Sequence, residues 1–145
     1  MPRLYTSVPA AFTPAAANTL WEIIAGTNKP IRIKRFELSS ANTSGTVVSL
    51  VTLEIITATG TGTAQTPTPV DPNDAAAAAT CKVNDTVEPT KGAVVWSTQW
   101  NLQVPYIYIA GPGEEFRENP AVGFGITLAT APAVAVMVAV TFEED

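Results

Sequence analysis

Glu114, Glu115 and Glu118 crowd into the loop after "GPG", and Asp71, Asn73 and Asp74 stand together in "VDPND". Paired carboxylates are the equipment of glycoside hydrolysis, which needs two Asp or Glu flanking a sugar bond. The second group offers carboxylate and amide oxygens of the kind calcium accepts. Neither group has a specific pattern. An acidic loop is usually a solvated one, and "VDPND" lacks the twelve-residue spacing of an EF-hand. Asx-turn chemistry explains the same residues without a metal.

Cys81 is the single thiol, next to Lys82. A nearby ammonium would lower its pKa, but a buried, inert small hydrophobe is the commoner fate of such a residue. One cysteine also rules out an intrachain disulfide. The chain has no histidine. That removes the commonest general base and the commonest transition-metal ligand, and with them any Ser-His-Asp or Cys-His arrangement. We therefore expect no catalytic residue, no cofactor and no metal.

Charge offers a second kind of site. The formal net charge is -5, yet Lys29, Arg32, Lys34 and Arg35 hold half of the eight basic residues. In "NKPIRIKRFELSS", Ile31 and Ile33 point one way and Arg32 and Lys34 the other. The alternation then slips at Arg35, so that Phe36 and Leu38 carry the apolar face onward. A one-residue slip is what a β-bulge produces. The outward Arg32, Lys34 and Arg35 form a positive stripe that would steer docking onto an acidic partner surface. The plainer reading is solvated charge that deters edge-to-edge pairing. The acidic total argues against direct nucleic-acid binding, which relies on Lys and Arg neutralising phosphates.

The elements that must position these residues are strands. Period-two alternation recurs over 3–8, 20–25, 30–39, 46–58, "AVVWSTQWNL", "VPYIYIA", 122–129 and 133–142, and Gly- and Pro-rich turns separate the runs. The only helical signal is the alanine run 75–79, where Asp74 could cap one short turn. "TATGTGTAQTPTPVDPNDAAAAAT" reads as one long loop, of the kind that is usually functional or covered by a partner. About eight short strands with no convincing helix predict an all-β, antiparallel jelly-roll β-sandwich.

The last strand is the most informative. Val134, Val136, Val138, Val140 and Phe142 share one face, and Ala133, Ala135, Met137, Ala139 and Thr141 the other. A solvated second face would be polar. This one is small and apolar, which suits close approach of a neighbouring subunit or of a facing sheet. We assign Val134, Val136, Met137, Val138 and Val140 to core and oligomer packing. Trp96 and Trp100 share one strand parity, and so do Tyr106 and Tyr108. Such rows are more often packing than a sugar-binding platform.

The totals fit this picture. A chain of 145 residues suits one domain with its own core. Only 14% of residues are charged, which suggests a surface partly covered by other protein. No run reaches the roughly 18 apolar residues of a membrane span, and the Pro-interrupted start does not read as a signal peptide.

Several segments in order, "LWEIIAGTNKPIRIKRFELSSANTSGTVVSLVTLEI", "DPNDAAAAAT", "VEPT", "IAGPGEEF" and a closing "VTFEE", resemble a group of small tailed-bacteriophage structural proteins also found in prophages. The likeness runs over roughly residues 19–144. It implies a jelly-roll virion component similar to trimeric capsid decoration (cement) proteins, head fibres or small tail-associated proteins, and it brings no catalytic residues. The expectation is a homotrimer on the capsid surface, with the major capsid protein and other virion proteins as partners, and neither membrane nor nucleic acid. Residues 1–18 would be an extended N-terminal arm and 19–145 the jelly-roll domain. The residues expected to dock on the capsid are Arg3, Leu4 and Tyr5, the stripe Arg32, Lys34 and Arg35, and Asp71 and Asp74 in the long loop. A tail or baseplate component and a carbohydrate-binding module of the virion are the alternatives.

Overall fold

A computed structural model describes residues 1–14, 19–43, 47–130 and 132–145. The described residues form twelve strands and no helix: β1 (Arg3–Ser7), β2 (Thr19–Ile24), β3 (Ile31–Ser40), β4 (Val48–Ala58), β5 (Thr61–Gln65), β6 (Thr68–Pro69), β7 (Thr80–Val87), β8 (Thr90–Asn101), β9 (Tyr106–Ile109), β10 (Phe116–Glu118), β11 (Gly123–Leu128) and β12 (Val136–Glu144). One sheet runs β10-β3-β12-β1-β6, with β9 also paired to β3. The other runs β5-β7-β2-β11-β4-β8.

The pairing shows why this is a jelly roll. β1 pairs with β12, β2 with β11, β3 with β9 and β10, and β4 with β8, all antiparallel. The chain is thus one long hairpin rolled over on itself. Successive strands of each arm fall in alternate sheets, and the eight principal strands divide as β1-β12-β3-β9 against β2-β11-β4-β8. The turn of the great hairpin lies between β4 and β8, and β5, β6 and β7 are inserted there.

That insertion corrects the expected long loop. Residues 61–65 pair with β7 at the edge of the second sheet, and residues 68–69 pair with β1 at the edge of the first. Threonine suits a strand, and an edge position tolerates the interspersed Gly and Pro because one side of the strand needs no partner. The expected helical turn at 75–79 is absent. Asp74 instead closes a turn, donating its N–H to the Asp71 carbonyl at 3.0 Å.

The N-terminal arm is also corrected. Residues 3–7 are a strand between β12 and β6. Farther on, Phe12 exchanges two backbone hydrogen bonds with Val136, at 2.9 and 2.8 Å. The roll therefore begins at residue 3, and a boundary at residue 19 would cut between β1 and β2. Alternate residues Tyr5 and Ser7 are buried, so β1 is held by its inward side chains as any inner strand is. Residues 15–18 lie outside the described residues.

Between the sheets Tyr5, Trp21, Phe36, Trp100, Phe124 and Phe142 are buried with the aliphatic residues of both inner faces. Tyr5 stacks on Phe142 at 5.6 Å. β11 is buried along its whole length, and Gly123 is required there. A Cβ at that position would lie 1.7 Å from the Ile23 carbonyl oxygen.

Candidate functional site

The basic stripe lies where the alternation placed it, on the outer face of the first sheet. Opposite β12 the register shifts, with Thr141 facing Arg35 and Phe142 facing Ile33. Lys34 is the extra residue. This is the bulge read from the slip at Arg35, and it turns Lys34 and Arg35 outward together while Ile33 and Phe36 stay buried. The stripe is not free charge, however. Arg32 is paired with Asp145, Lys34 with both Glu115 and Glu143 at 2.9 Å, and Arg35 with Glu37 at 2.9 Å. The two carboxylates beside Lys34 hold its ammonium above the usual lysine range. The same contact, together with backbone N–H donors, lowers Glu115. Charge that is already satisfied steers a partner far less than a bare stripe would.

The other expected docking residues are gathered at one edge of the same sheet. Arg3 reaches Asp74 at 3.4 Å, the Val70 N–H donates to the Leu4 carbonyl at 2.9 Å, and the Tyr5 hydroxyl donates to the Ala75 carbonyl at 3.0 Å. Tyr5 is therefore a core residue that ties down the insertion, which removes it from any docking surface. Leu4 is exposed on the outer face. Asp71 accepts bonds from the backbone and side-chain N–H groups of Asn73 at 2.9 and 3.0 Å, an Asx turn. Among the described residues no cluster of three or more Cys, Asp or Glu side chains is placed to hold a metal ion.

The final strand divides as its alternation required. Val136, Val138 and Val140 are buried between the sheets, with Phe142 continuing the face. Val134 precedes the strand and packs only partly against the core. Met137, Ala139 and Thr141 look outward and are half-buried. In the cross-strand rows Ala139 faces Glu37, which faces Ile107, and Thr141 faces Arg35, which faces Ile109. Ile107 and Ile109 are 49% and 70% exposed.

The aromatic rows pack with each other. Trp96 meets Phe36, Tyr106 and Tyr108 at 5.2–5.8 Å, across the two sheets. Trp100 is buried, and its indole N–H donates to the Val104 carbonyl at 2.8 Å. The acidic loop residues are engaged separately, Glu115 with Lys34 and Glu118 with the backbone N–H of Asn119. Cys81 is buried, and burial pushes its thiol up to about 12, so it is inert.

Three buried acidic side chains, Glu144 and the neighbours Glu22 and Asp85, escaped the sequence reading. Glu144, at the inner end of β12, accepts the N–H groups of Ala78 and Ala79 at 2.9 and 2.7 Å and lies 3.6 Å from the Lys29 ammonium. It pins the alanine run to the sandwich. On the second sheet Glu22 accepts the Gly60 N–H at 3.0 Å and the Thr59 hydroxyl. Asp85 is fully buried beside it. Neither Asp85 oxygen receives a bond from a donor group, so the hydrogen bond open to it is one its own proton donates to Glu22. Burial first, then the negative charges of Glu22 and Glu88, push Asp85 up to about 7, against a smaller opposing effect of Lys82. Gly60 and Gly62 leave the space this carboxyl occupies, since a Cβ on Gly62 would lie 2.1 Å from it. The signal available in sequence was a glutamate inside the apolar run "TLWEII" and the paired glycines of "TGTGT".

Comparison of the chain with protein-family models, with curated proteins and with solved structures finds no match.

Proposed function

We propose that this chain is a non-enzymatic structural subunit of a phage virion: a trimeric decoration (cement) protein that rests on the capsid surface and ties neighbouring capsid subunits together. The observation that carries the reading is the outer face of the first sheet. A solvated sheet face is normally polar on its outward parity. Here the outward parity includes Met137 and Ala139 on β12, exposed Ile107 and Ile109 on β9 across Glu37 and Arg35 of β3, and exposed Leu4 on β1 opposite Glu143. Covering apolar surface gains roughly 25 cal/mol per Å², and small residues let a second backbone come close. A second copy or a capsid subunit laid on this face would stabilise whichever assembly contains it, since binding only to the assembled state favours that state. The resemblance of the sequence to phage structural proteins supplies the setting. The same face would serve a tail-associated subunit, and copy number per particle separates the two, hundreds for decoration and a few for a tail component.

Light scattering on the chain as it elutes from a sizing column tests the oligomer. The expected result is three times the chain mass, falling to one chain mass for Ala139→Glu with β-sheet circular dichroism retained. A monomeric wild-type protein would overturn the trimer. Failure of the trimer to co-sediment with phage capsid shells would overturn the decoration role.

A further inference from the structure

Seven of the eight basic residues lie within 4.0 Å of a carboxylate; among the described residues the exception is Arg117. Arg117 is exposed on β10 and stands directly opposite Arg32 on β3. Like charges facing across a strand pair destabilise it, and an anion held between the two guanidinium groups would relieve that. Both line an open cavity of about 400 Å³ at the end of the first sheet, together with Pro30, Asn119, Glu118 and Asp145. The volume falls in the range of small-molecule sites.

Of the two acidic members of this lining, Asp145 already neutralises Arg32, which leaves Arg117 as the uncompensated cation. Glu118 stands opposite the buried Ile31, on the other parity of β10 from Arg117, and its Oε2 accepts the N–H of Asn119 at 3.2 Å. Asp145 takes Nη2 of Arg32. It leaves the other N–H groups of Arg32 and the whole fork of Arg117 for a second anion, because a guanidinium carries five donors. The fork matches a planar carboxylate with two parallel bonds. Asn119 adds an amide for a neighbouring hydroxyl.

We propose that this cavity is a binding site for one small hydroxylated carboxylate of monosaccharide size, an acidic sugar, with Arg117 as its principal ligand and Arg32 and Asn119 in support. It is independent of the apolar outer face and of whether the chain oligomerises.

The test is titration of the protein with glucuronate, glucose and inorganic phosphate, followed by the arginine side-chain and Asn119 amide signals in NMR spectra. Glucuronate should bind with a dissociation constant on the order of 1 mM. Glucose, which lacks the carboxylate, should not bind. Arg117→Gln should weaken glucuronate at least about tenfold, the loss expected of one charge-assisted contact, while its melting temperature does not fall, because Arg117 is exposed and unpaired and its loss relieves the repulsion with Arg32. Arg117→Lys, which keeps the charge and loses the fork, should recover only part of the affinity. Glucuronate shifts that persist in Arg117→Gln, no shifts at all, or phosphate binding as tightly as glucuronate would each overturn the proposal.

Discussion

Replacing Asp85 by Asn should make the protein more stable above neutral pH, which is unusual for a change at a fully buried position. In the native state the Asp85 carboxyl is raised from its ordinary 3.8 to about 7, first by burial and then by Glu22 and Glu88. Between those values the folded protein holds a proton that the unfolded chain has released. Stability therefore falls as pH rises from about 4 to about 7, and above that the whole cost of an ionised, buried carboxylate is present. At 1.36 kcal/mol per pH unit the interval amounts to an upper bound of roughly 4 kcal/mol. Asn is nearly isosteric, cannot ionise, and its amide N–H can replace the proton as donor to Glu22. The measurement is urea unfolding of both proteins across pH 4 to pH 8, taken as a difference so that titrating groups remote from Asp85 and Glu22 cancel. We expect Asp85→Asn to be within about 1 kcal/mol of wild type at pH 4 and more stable by about 2–4 kcal/mol at pH 8. Parallel stability curves, or a variant weaker than wild type at pH 8, would refute the reasoning about this pair.

Two further changes probe the other polar anchors. Glu144→Ala leaves the Ala78 and Ala79 N–H groups and Lys29 without their acceptor, so it should cost about 2–4 kcal/mol in urea unfolding. It should also open residues 75–79 to protease, and a protease-resistant variant would contradict the role of Glu144 as a pin. Lys34→Met removes the main cause of the lowered Glu115 carboxyl, and NMR titration should find that group raised toward the ordinary glutamate range, with the backbone donors still holding it down in part. Because Glu115 is lowered in the folded state, the stabilising contact is present above the ordinary glutamate pKa and is lost as pH falls through the lowered one. An unmoved Glu115 would mean that the backbone donors alone hold it down.

The fold was legible because its determinants are local. Strand-like patterning marks the eight principal strands, and the slip at Arg35 marks the bulge, since a residue added on one strand reverses every face beyond it. What was illegible depended on pairing at a distance. Nothing within residues 3–7 distinguishes an inner strand from a free arm until Tyr5 is seen stacked on Phe142, 137 positions along the chain. The Thr-, Gly- and Pro-rich insertion reads as loop because its propensities are weak. It becomes strand only because β1 and β7 offer open edges beside it. The same holds for charge. A run of basic residues is visible in sequence, whereas the carboxylates that neutralise it come from residues 115, 143 and 145, carried there by other strands.

That neutralisation changes what the outer face of the first sheet can do. Were Arg35 and Lys34 unpaired, covering them would strip water from isolated charges, a cost of several kcal/mol for each ion unless the partner supplied a matching carboxylate in register. With Glu37, Glu115 and Glu143 already in place, the charges would meet a partner as pairs formed within the chain. In the assembly proposed above, Ile107, Ile109, Ala139 and Met137 would then set the contact by shape and apolar area. A self-contained charge pattern suits a surface that must fit copies of itself or a repeating shell, where an uncompensated positive stripe would meet its own image and repel it. The unpaired Arg117 lies apart from this logic, at the end of the sheet beside a cavity, where a small anion fits and a second subunit is not required.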